Sequence, residues 1–343
     1  MEKVLTIVVP TYNMEEYLDN CLSSMIMDDA SLMGALEVII VNDGSKDRSL
    51  EIASSYKERF PDTFIVIDKE NGNYGSCVNM GLKEATGNYF RIVDADDWVD
   101  TSALITFISH LIDCNCDLVF TNYAVIKGLN IEYKKCNARI IPNVVYDLTK
   151  IVYEKDDYHM QMHGMTYKTD VLKSMGLRLT EGVSYTDSEY CFLPLSAIET
   201  IIYWDIVLYQ YRAEREGQTI SVESRVKSTN SMHMVALSLL SNFIDCDNCA
   251  RSNMQLDILK RVLWMYYLTS LGLCKKDKNL NNRLLEFHEK LKNYPKLVAY
   301  TRRLKIRRIP YVSVWENTGL YNSSFIFRIY NCIYDLLKNI SAI

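Results

Sequence analysis

The sequence predicts an α/β protein with a mainly parallel central sheet flanked by helices, followed by a helical C-terminal region. Over the first hundred residues, short apolar segments alternate with segments of helical periodicity, the order typical of βαβ units. Beyond about residue 228 the apolar residues recur only at helical spacing. We therefore predict one domain over residues 1–228, with halves at 1–100 and 101–228, and a helical region over 229–343.

The elements of the first half follow from four short apolar segments and the helical patterns between them. We expect Pro10 to stop the first strand and Asp47 to cap the second helix. The predicted strands are Leu5–Val9, Glu37–Val41, Phe64–Asp68 and Tyr89–Val93, and the predicted helices are Glu15–Met27, Ser49–Phe60 and Ser76–Ala85.

The second half gives a more mixed pattern that is rich in loops. Apolar periodicity there predicts three helices and two strands. They are a helix over 101–113, a strand near Leu118–Tyr123, a helix starting at Thr169, a helix over 185–197 and a strand at Ile201–Tyr211.

The composition is that of a globular chain, since 48% of the 343 residues are hydrophobic and 24% are charged. Disordered, collagen-like and coiled-coil proteins are excluded. No apolar run approaches the ~20 residues of a membrane-spanning helix, and Met1–Asn13 lacks signal-peptide features, so a cytoplasmic location is predicted. We interpret the ten cysteines as reduced, mostly buried thiols rather than disulfides or a metal site.

The net charge of −5 conceals two oppositely charged parts. Residues 1–230 carry 21 Lys+Arg and 35 Asp+Glu, whereas residues 231–343 carry 17 and 8. Five cations within Arg302–Arg308, followed by aromatic residues up to Tyr330, predict peripheral contact of residues 302–330 with an anionic membrane. The alternative is a solvated helical face, and the acidic domain argues against nucleic acid as a partner.

Two polar clusters directly follow predicted strands. Ligands of such sheets bind beyond the carboxyl ends of the strands, which makes both clusters candidates for a site. The carboxylates of Asp94 and Asp96 are spaced to hold one Mg²⁺ or Mn²⁺ ion, although a solvated acidic turn is the alternative. Asp43, in the cluster Asn42–Asp47, either belongs to an ordinary turn or accepts hydrogen bonds from a nucleotide base. The sequence contains no P-loop and no dinucleotide-binding glycine motif.

Five short motifs occur in a fixed order between residues 4 and 100. They are Val8-Val-Pro-Thr-Tyr-Asn13, Val41-Asn-Asp-Gly-Ser45 with Asp47, Glu70-Asn-Gly-Asn-Tyr-Gly-Ser76 with Asn79 and Gly81, Ala85-Thr-Gly-Asn-Tyr-Phe90, and Val93-Asp-Ala-Asp-Asp97. Together they resemble the nucleotide-binding half of the family 2 glycosyltransferases, inverting enzymes with the GT-A fold. The resemblance continues more loosely to about residue 221.

This resemblance implies a role for each matching residue near the nucleotide. Pro10, Thr11 and Tyr12 would line the base, largely through their backbone, and Asp43 would hold the uracil or an equivalent base.

The same resemblance places the diphosphate and its metal. The loop carrying Asn71, Gly75 and Asn79 would lie along the sugar nucleotide. Asp94 would reach the ribose or the metal, and Asp96 would coordinate a Mn²⁺ or Mg²⁺ ion that bridges the diphosphate.

The acceptor side resembles the family in the segment from Glu181 to Glu189, where an acidic residue before a helix acts as the catalytic base. Asp187 is our candidate and Glu189 the second choice, because a carboxylate in reach of the acceptor hydroxyl can take its proton. The competing interpretation is that Asp187 only caps the helix.

Three further residues are candidates for binding the substrates. Arg212 and Arg215 lie in a basic loop that could stabilise the leaving diphosphate, and the alternative is a solvated charged loop. His163 falls where the family places residues of the acceptor pocket, although a lone histidine is more often structural.

The sequence as a whole predicts an enzyme that transfers one sugar from a nucleotide diphosphate donor, with a UDP-sugar favoured, to a hydroxyl of a glycan or lipid-linked acceptor. The family context indicates bacterial cell-surface polysaccharide synthesis. The processive Gln-x-x-Arg-Trp motif is absent from the sequence. Two alternatives are transfer to a polyprenyl phosphate, which needs no base, and a sugar-nucleotide-binding scaffold without catalysis.

Overall fold

A computed structural model describes residues 2–321 except for 136–139, 152–160, 214–220, 248, 276 and 307–308. The chain separates into two compact units. One comprises Met1–Glu216 with Cys246–Gln255, and the other comprises Gly217–Asp245 with Leu256–Ile343. The functions predicted for residues 1–100, 101–228 and 229–343 stay predictions.

The strands of the first unit form one mixed sheet among the residues described. They are β1 (Leu5–Thr11), β2 (Leu36–Asn42), β3 (Phe64–Asp68), β4 (Tyr89–Ile92), β5 (Trp98–Val99), β6 (Leu118–Lys127), β7 (Asn130–Lys134), β8 (Val145–Asp147), β9 (Met165–Lys168) and β10 (Thr200–Arg212). Their order is β3-β2-β1-β4-β9-β6-β10-β5, with β7 beside β6 and β8 beside β10. The strands β3, β2, β1 and β4 are parallel as predicted, and so are β6 and β10.

The antiparallel strands β5, β7, β8 and β9 were not predicted from the sequence. They have two to five residues each, too few for an apolar pattern to be recognised. β9 is inserted between β4 and β6 and pairs antiparallel with both. As a result β4, β6 and β10 run in the same direction, and their carboxyl ends lie at one edge of the sheet.

The helices of the first unit largely follow the sequence prediction. They are α1 (Leu18–Ser23), α2 (Ala30–Ala35), α3 (Ser49–Arg59), α4 (Asn73–Glu84), α5 (Thr101–Ile112), α6 (Thr169–Ser174) and α7 (Asp187–Phe192). The helix predicted over Glu15–Met27 is shorter in the structure, since α1 covers only Leu18–Ser23. The helix α2 was not predicted; it begins after Asp29, whose side chain accepts hydrogen bonds from the backbone of Ser31 and Leu32.

The prediction that Pro10 ends the first strand was also wrong. Pro10 lies within β1 opposite Val41 of β2, and the strand continues to Thr11. In a parallel strand the backbone N–H and C=O groups of successive residues point alternately to the two neighbouring strands. Those of Thr11 point to β2, because the Thr11 carbonyl accepts a hydrogen bond from the backbone N–H of Asp43. Those of Pro10 therefore point to β4, whose pairing with β1 has already ended at Ile92, so the N–H that proline lacks removes no hydrogen bond of the sheet.

The second unit is helical among the residues described, as predicted. Its helices are α8 (Val222–Lys227), α9 (Thr229–Ser241), α10 (Ala250–Tyr267), which begins in the first unit, α11 (Lys278–Leu291), α12 (Pro295–Arg302) and α13 (Tyr311–Thr318), with a π-helical turn at Leu268–Leu273. Leu239, Leu263, Leu284 and Phe287 have no exposed surface and form its apolar core. No described helix combines the length and apolar character needed to cross a membrane.

The structure corrects part of the membrane prediction for residues 302–330. Tyr311, Trp315 and Tyr321 are buried, so these aromatic side chains are not available to a membrane surface. Arg302 pairs with Glu316 at 2.8 Å. Residues 307–308 and everything after 321 lie outside the described residues.

Candidate active site

The acidic turn after β4 is fixed to the end of β10 through Asp97. The Asp97 side chain is buried, and its Oδ2 accepts a hydrogen bond of 2.6 Å from the Tyr209 hydroxyl. Its Oδ1 accepts a bond of 2.7 Å from the backbone N–H of Arg212. Burial, followed by the charges of Asp94 and Asp96, raises the pKa of Asp97 well above its usual value. Asp97, which was not among the predicted site residues, therefore holds the turn in place.

Asp94 is held by a tyrosine from α4. The Tyr74 hydroxyl donates to Asp94 Oδ1 at 2.7 Å and lies 3.2 Å from Met162 Sδ. Burial, then the charge of Asp94 and, more weakly, that of Asp187 raise the pKa of Tyr74 well above its usual value. The Tyr74 hydroxyl therefore fixes the Asp94 carboxylate to α4.

Three side chains form a group that suits a metal ion. Ligand atoms of Asp94, Asp97 and His163 lie within 4.8 Å of one another. Burial and the charge of Arg91 lower the pKa of His163 to about 3, so its imidazole is neutral and can bind a metal. His163 Nδ1 is buried and has no hydrogen-bond partner among the described residues. Two carboxylates and an imidazole fit Mn²⁺ better than Mg²⁺, which prefers oxygen ligands.

Asp96, the predicted metal ligand, is not a member of that group. Its backbone carbonyl accepts a bond of 3.0 Å from Arg212 Nε. The role of Asp96 as a metal ligand stays a prediction.

Arg91 lies completely buried beneath the turn and positions the segment of His163. It donates to Thr166 Oγ1 at 2.8 Å and to the carbonyl of His163. Burial lowers its pKa to about 10. Because Arg91 occupies a strand that reads as apolar in sequence, its role could not be assigned before the structure.

Asp43 lies at the carboxyl end of β2 and is buried against a lysine. Its Oδ1 accepts hydrogen bonds from Lys69 Nζ and, at 2.9 Å, from the backbone N–H of Gly72. Asn71 donates to the Asp43 carbonyl at 2.9 Å. The side-chain amide of Asn71 is thus used to fix the loop around Asp43, and Lys69 is a functional candidate that the sequence analysis missed.

The loop after β1 is bound to the loop after β2. Asn13, in the left-handed conformation at φ 52°, accepts a bond from the backbone of Lys46 at 2.8 Å and donates its own N–H to Ser45 Oγ. Asp47 accepts bonds from the backbone N–H groups of Glu15 and Ser49, but the N-cap position of α3 belongs to Arg48, so the predicted cap at Asp47 was wrong by one residue. The candidate base-binding residues Pro10, Thr11 and Tyr12 therefore precede a rigid junction, with Tyr12 exposed and the other two buried.

Gly75 and Asn79 face the segment that leads to α7. A Cβ on Gly75 would lie 2.3 Å from the carbonyl oxygen of Thr180. Asn79 bonds the backbone of Leu179 through both ends of its amide and also donates to Glu181 at 3.0 Å. Their predicted contact with the sugar nucleotide stays a prediction, and the structure adds that they fix the acceptor-side segment to α4.

The two candidate bases occupy different environments. Glu189 is fully buried, and its carboxylate accepts two bonds of 2.7 Å from the backbone and hydroxyl of Thr180. Asp187 is half-buried and is the first residue of α7, so it does not occupy the N-cap position, which belongs to Thr186. Tyr185 just before it has φ 70°, a strained conformation for this residue type. Asp187 is the better placed of the two to meet a substrate.

Arg212 is the last residue of β10. Its guanidinium lies 4.7 Å from the ring centre of Trp98 and 5.3 Å from that of Tyr17. Its predicted role at the diphosphate stays a prediction. Arg215 lies outside the described residues.

Residues 6–176 match the model of "Glycosyl transferase family 2". This chain belongs to glycosyltransferase family 2. The glycosyltransferase GlyA of Streptococcus pneumoniae is 29% identical over 181 residues, which are 53% of this chain and 24% of that protein. The uncharacterised glycosyltransferase EpsJ of Bacillus subtilis is 41% identical over 103 residues, 30% of this chain and 28% of EpsJ. The chain thus spans about a quarter of the length of these relatives.

Solved structures confirm the predicted GT-A fold. The crystal structure of residues 1–349 of Staphylococcus aureus TarS in complex with UDP-GlcNAc superposes with a TM-score of 0.61 at 20% identity, covering 93% of each chain. The mannosyltransferase PcManGT of Pyrobaculum calidifontis, in complex with GDP-Man and Mn²⁺, gives a TM-score of 0.51 at 15% identity, covering 88% of this chain and 84% of that one.

Proposed function

We propose that this family 2 protein is an inverting glycosyltransferase that moves one sugar from a UDP-sugar to a hydroxyl of a glycan or lipid-linked acceptor in cell-surface polysaccharide synthesis. The observation that supports this most is the group of ligand atoms from Asp94, Asp97 and His163, which lie within 4.8 Å of one another after β4. Such a group suits the divalent cation that would bind the diphosphate of a nucleotide sugar.

The donor end of the proposed site is built around Asp43. Its buried carboxylate is oriented by Lys69 and by the Gly72 backbone, and it would accept a hydrogen bond from an N–H of the base. A UDP-sugar is favoured because the fold neighbour TarS was crystallised with UDP-GlcNAc. GDP-sugars remain the alternative, since PcManGT was crystallised with GDP-Man.

The transfer step needs a base on the acceptor and stabilisation of the leaving group. Asp187 would take the proton of the acceptor hydroxyl as its oxygen attacks the anomeric carbon from the face opposite the diphosphate. The anomeric configuration would then be inverted, and UDP would leave towards Arg212. A Mn²⁺ ion held by Asp94, with Asp97, His163 or Asp96, would neutralise charge on the diphosphate.

The test is donor binding and hydrolysis across UDP-, GDP- and dTDP-sugars with Mn²⁺, for the wild type and Asp96→Ala. We expect one donor class to bind in a metal-dependent way, with loss of that dependence in the variant. If the folded protein binds no sugar nucleotide, the proposal is wrong and a scaffold role is favoured. Retained transfer by Asp187→Asn to a polyprenyl phosphate would instead favour an acceptor that is already an anion.

Membrane contact through the basic segment is part of the proposal. Arg303 and Lys305 are exposed and would meet anionic headgroups. The double substitution Arg303→Glu and Lys305→Glu should reduce co-sedimentation with vesicles containing an anionic lipid. Equal binding of wild type and variant would remove these two residues from the proposed surface.

A further inference from the structure

The segment of residues 179–182, between α6 and α7, forms neither helix nor strand, yet its backbone is hydrogen-bonded to other elements. The side-chain amide of Asn79, in α4, donates to the Leu179 carbonyl at 2.9 Å and accepts from the Leu179 N–H at 2.8 Å. The N–H of Gly182 donates to the carbonyl of Gly72, just before α4, at 2.8 Å. The segment is therefore docked on the N-terminal part of α4.

The Asn79 side chain uses its donors within the protein. An asparagine amide carries two N–H groups. One of them bonds the Leu179 carbonyl, and the other bonds Glu181 Oε1 at 3.0 Å. The sequence predicts that Asn79 lies along the sugar nucleotide, but both N–H groups of its amide are directed to the acceptor-side segment.

Glu189 of α7 holds the same segment from the other side. Its Oε2 accepts a hydrogen bond of 2.7 Å from the Thr180 N–H, and its Oε1 accepts one of 2.7 Å from the Thr180 hydroxyl. Glu189 has no exposed surface. A catalytic base must reach the acceptor hydroxyl, and a buried carboxylate with both oxygens bonded to Thr180 does not meet that requirement.

The close approach of α4 to Thr180 depends on a glycine. A Cβ on Gly75 would lie 2.3 Å from the Thr180 carbonyl oxygen, so a larger residue would push the segment away. Thr180 is thus in contact with α4 on one side and with α7 on the other. The helix α4 also carries Tyr74, which binds Asp94, and α7 begins with Asp187. Contacts between side chain and backbone therefore connect the helix of Tyr74 to the helix of the candidate base.

We propose that Asn79 and Glu189 are positioning residues that clamp the segment 179–182 between α4 and α7 and so fix the place of Asp187. This proposal rests on the proposed function, in which Asp187 is the base. It assigns Asn79 to the acceptor side and removes Glu189 from the candidate bases. Because a displacement of ~1 Å can lower the rate of a positioned reaction about 10²-fold, loosening the clamp should lower turnover without weakening donor binding.

The first experiment measures the clamp without any substrate, by hydrogen–deuterium exchange of peptides covering residues 177–186. Asn79→Ala and Glu189→Ala should each speed exchange there about tenfold, the effect of a lost buried hydrogen bond. Glu189→Gln should exchange like the wild type, because its amide oxygen can accept from the Thr180 N–H and its NH₂ can donate to the hydroxyl. Asn282→Ala, at an exposed position of α11, is the matched control. Unchanged exchange in both clamp alanine variants would overturn the proposal.

The second experiment separates donor binding from turnover, with the sugar nucleotide that the donor panel identifies. Isothermal titration calorimetry gives the donor Kd, and release of the nucleoside diphosphate in water gives turnover. We expect Asn79→Ala and Glu189→Ala to lower turnover about 10- to 100-fold at unchanged Kd, and Glu189→Gln to retain it. A weaker Kd in Asn79→Ala would return that residue to the nucleotide site. Lost turnover in Glu189→Gln with normal exchange would make Glu189 the base, and either result would overturn the positioning role.

Urea unfolding of each variant distinguishes a loosened segment from a general loss of folding. A positioning role requires lower turnover in variants that remain folded. If Glu189→Ala does not fold, Asn79→Ala, whose side chain is half-buried, and the isosteric Glu189→Gln suffice for both experiments. If the wild type binds no sugar nucleotide, the proposed function fails, while the exchange data still decide whether the clamp exists.

Discussion

The carboxylates of Asp43 and Asp94, which follow β2 and β4, occupy equivalent positions at the edge of the sheet but have different hydrogen-bond partners. Asp43 is buried against the ammonium of Lys69, so its charge is balanced within the protein. Asp94 is instead bound by the neutral hydroxyl of Tyr74, and two further carboxylates lie in the same turn. From this difference we predict that Asp43 recognises a neutral polar group, whereas the three carboxylates of the turn at Asp94 favour a bound cation.

The largest effect should come from removing the charge of Asp94. We expect Asp94→Asn to lower transfer more than about 10³-fold, because several kcal/mol of charge stabilisation are lost with the metal. Turnover at increasing Mn²⁺ measures this. Asp170→Asn, which changes an exposed aspartate of α6, is the matched control. Equal activity of both variants would mean that the turn does not hold a cation.

The proposed base should give the next largest effect. Asp187→Asn should lower kcat at least about 100-fold with little change in the KM for the donor, because general base catalysis acts on the acceptor proton. Steady-state kinetics with varied donor and acceptor check this. A rise in the donor KM at unchanged kcat would assign Asp187 to donor binding instead.

The ion pair between Asp43 and Lys69 should contribute to the free energy of unfolding. Lys69→Met leaves a buried carboxylate without its cation, and we expect the free energy of unfolding to fall by about 2–3 kcal/mol. Urea unfolding of the single variant and of Lys69→Met with Asp43→Asn measures it. The double variant should recover part of the loss, and a double variant that is less stable than the single would contradict the pairing.

The hydrogen bond from Tyr74 can be removed to test its effect on Asp94, the second of the two carboxylates. Tyr74→Phe keeps the ring but removes the hydrogen bond to Asp94, so the Mn²⁺ concentration at half-maximal donor binding should rise about tenfold. Donor binding without metal should be unchanged. If both binding curves shift equally, Tyr74 acts on the packing of α4 and not on Asp94.

A further expected effect concerns pH. The folded-state pKa of His163 lies near 3, below its unfolded value of about 6.5, so its contribution to stability is present above pH 6.5 and is lost as the pH falls towards 3. His163→Gln should reduce the slope of the unfolding free energy against pH, between pH 6.5 and 4, by up to the amount that corresponds to one bound proton. Urea unfolding at several pH values measures the slope, and parallel slopes would show that His163 is accessible to protonation.

Sequence reasoning worked best where the signal was local. The first four parallel strands, the order of the helices and the acidic turn after β4 were predicted close to their observed bounds, because each depends on periodicity within about ten residues. It failed at the ends of α1 and at α2, whose six residues carry little periodic signal, and at β9, whose four residues form a strand only because β4 and β6 flank them.

The candidate site was predicted only in part for a similar reason. Asp94, Asp187 and Asp43 stand in recognisable motifs. The residues that hold them do not, since Tyr74 resembles any helical tyrosine and Lys69 any charged residue after a strand. Arg91, buried within β4, runs against the usual expectation for arginine.

By itself the sequence determined the order of strands and helices and the placement of acidic clusters at strand ends. Those features arise from interactions between residues close in the chain. Only the tertiary structure decided which groups surround each carboxylate, because the partners are remote in sequence. Tyr74 and Asp94 are 20 residues apart, and Asp97 and the Arg212 backbone are 115 apart. A hydrogen bond requires its atoms within about 3 Å, and only the packing of the sheet brings such distant residues that close.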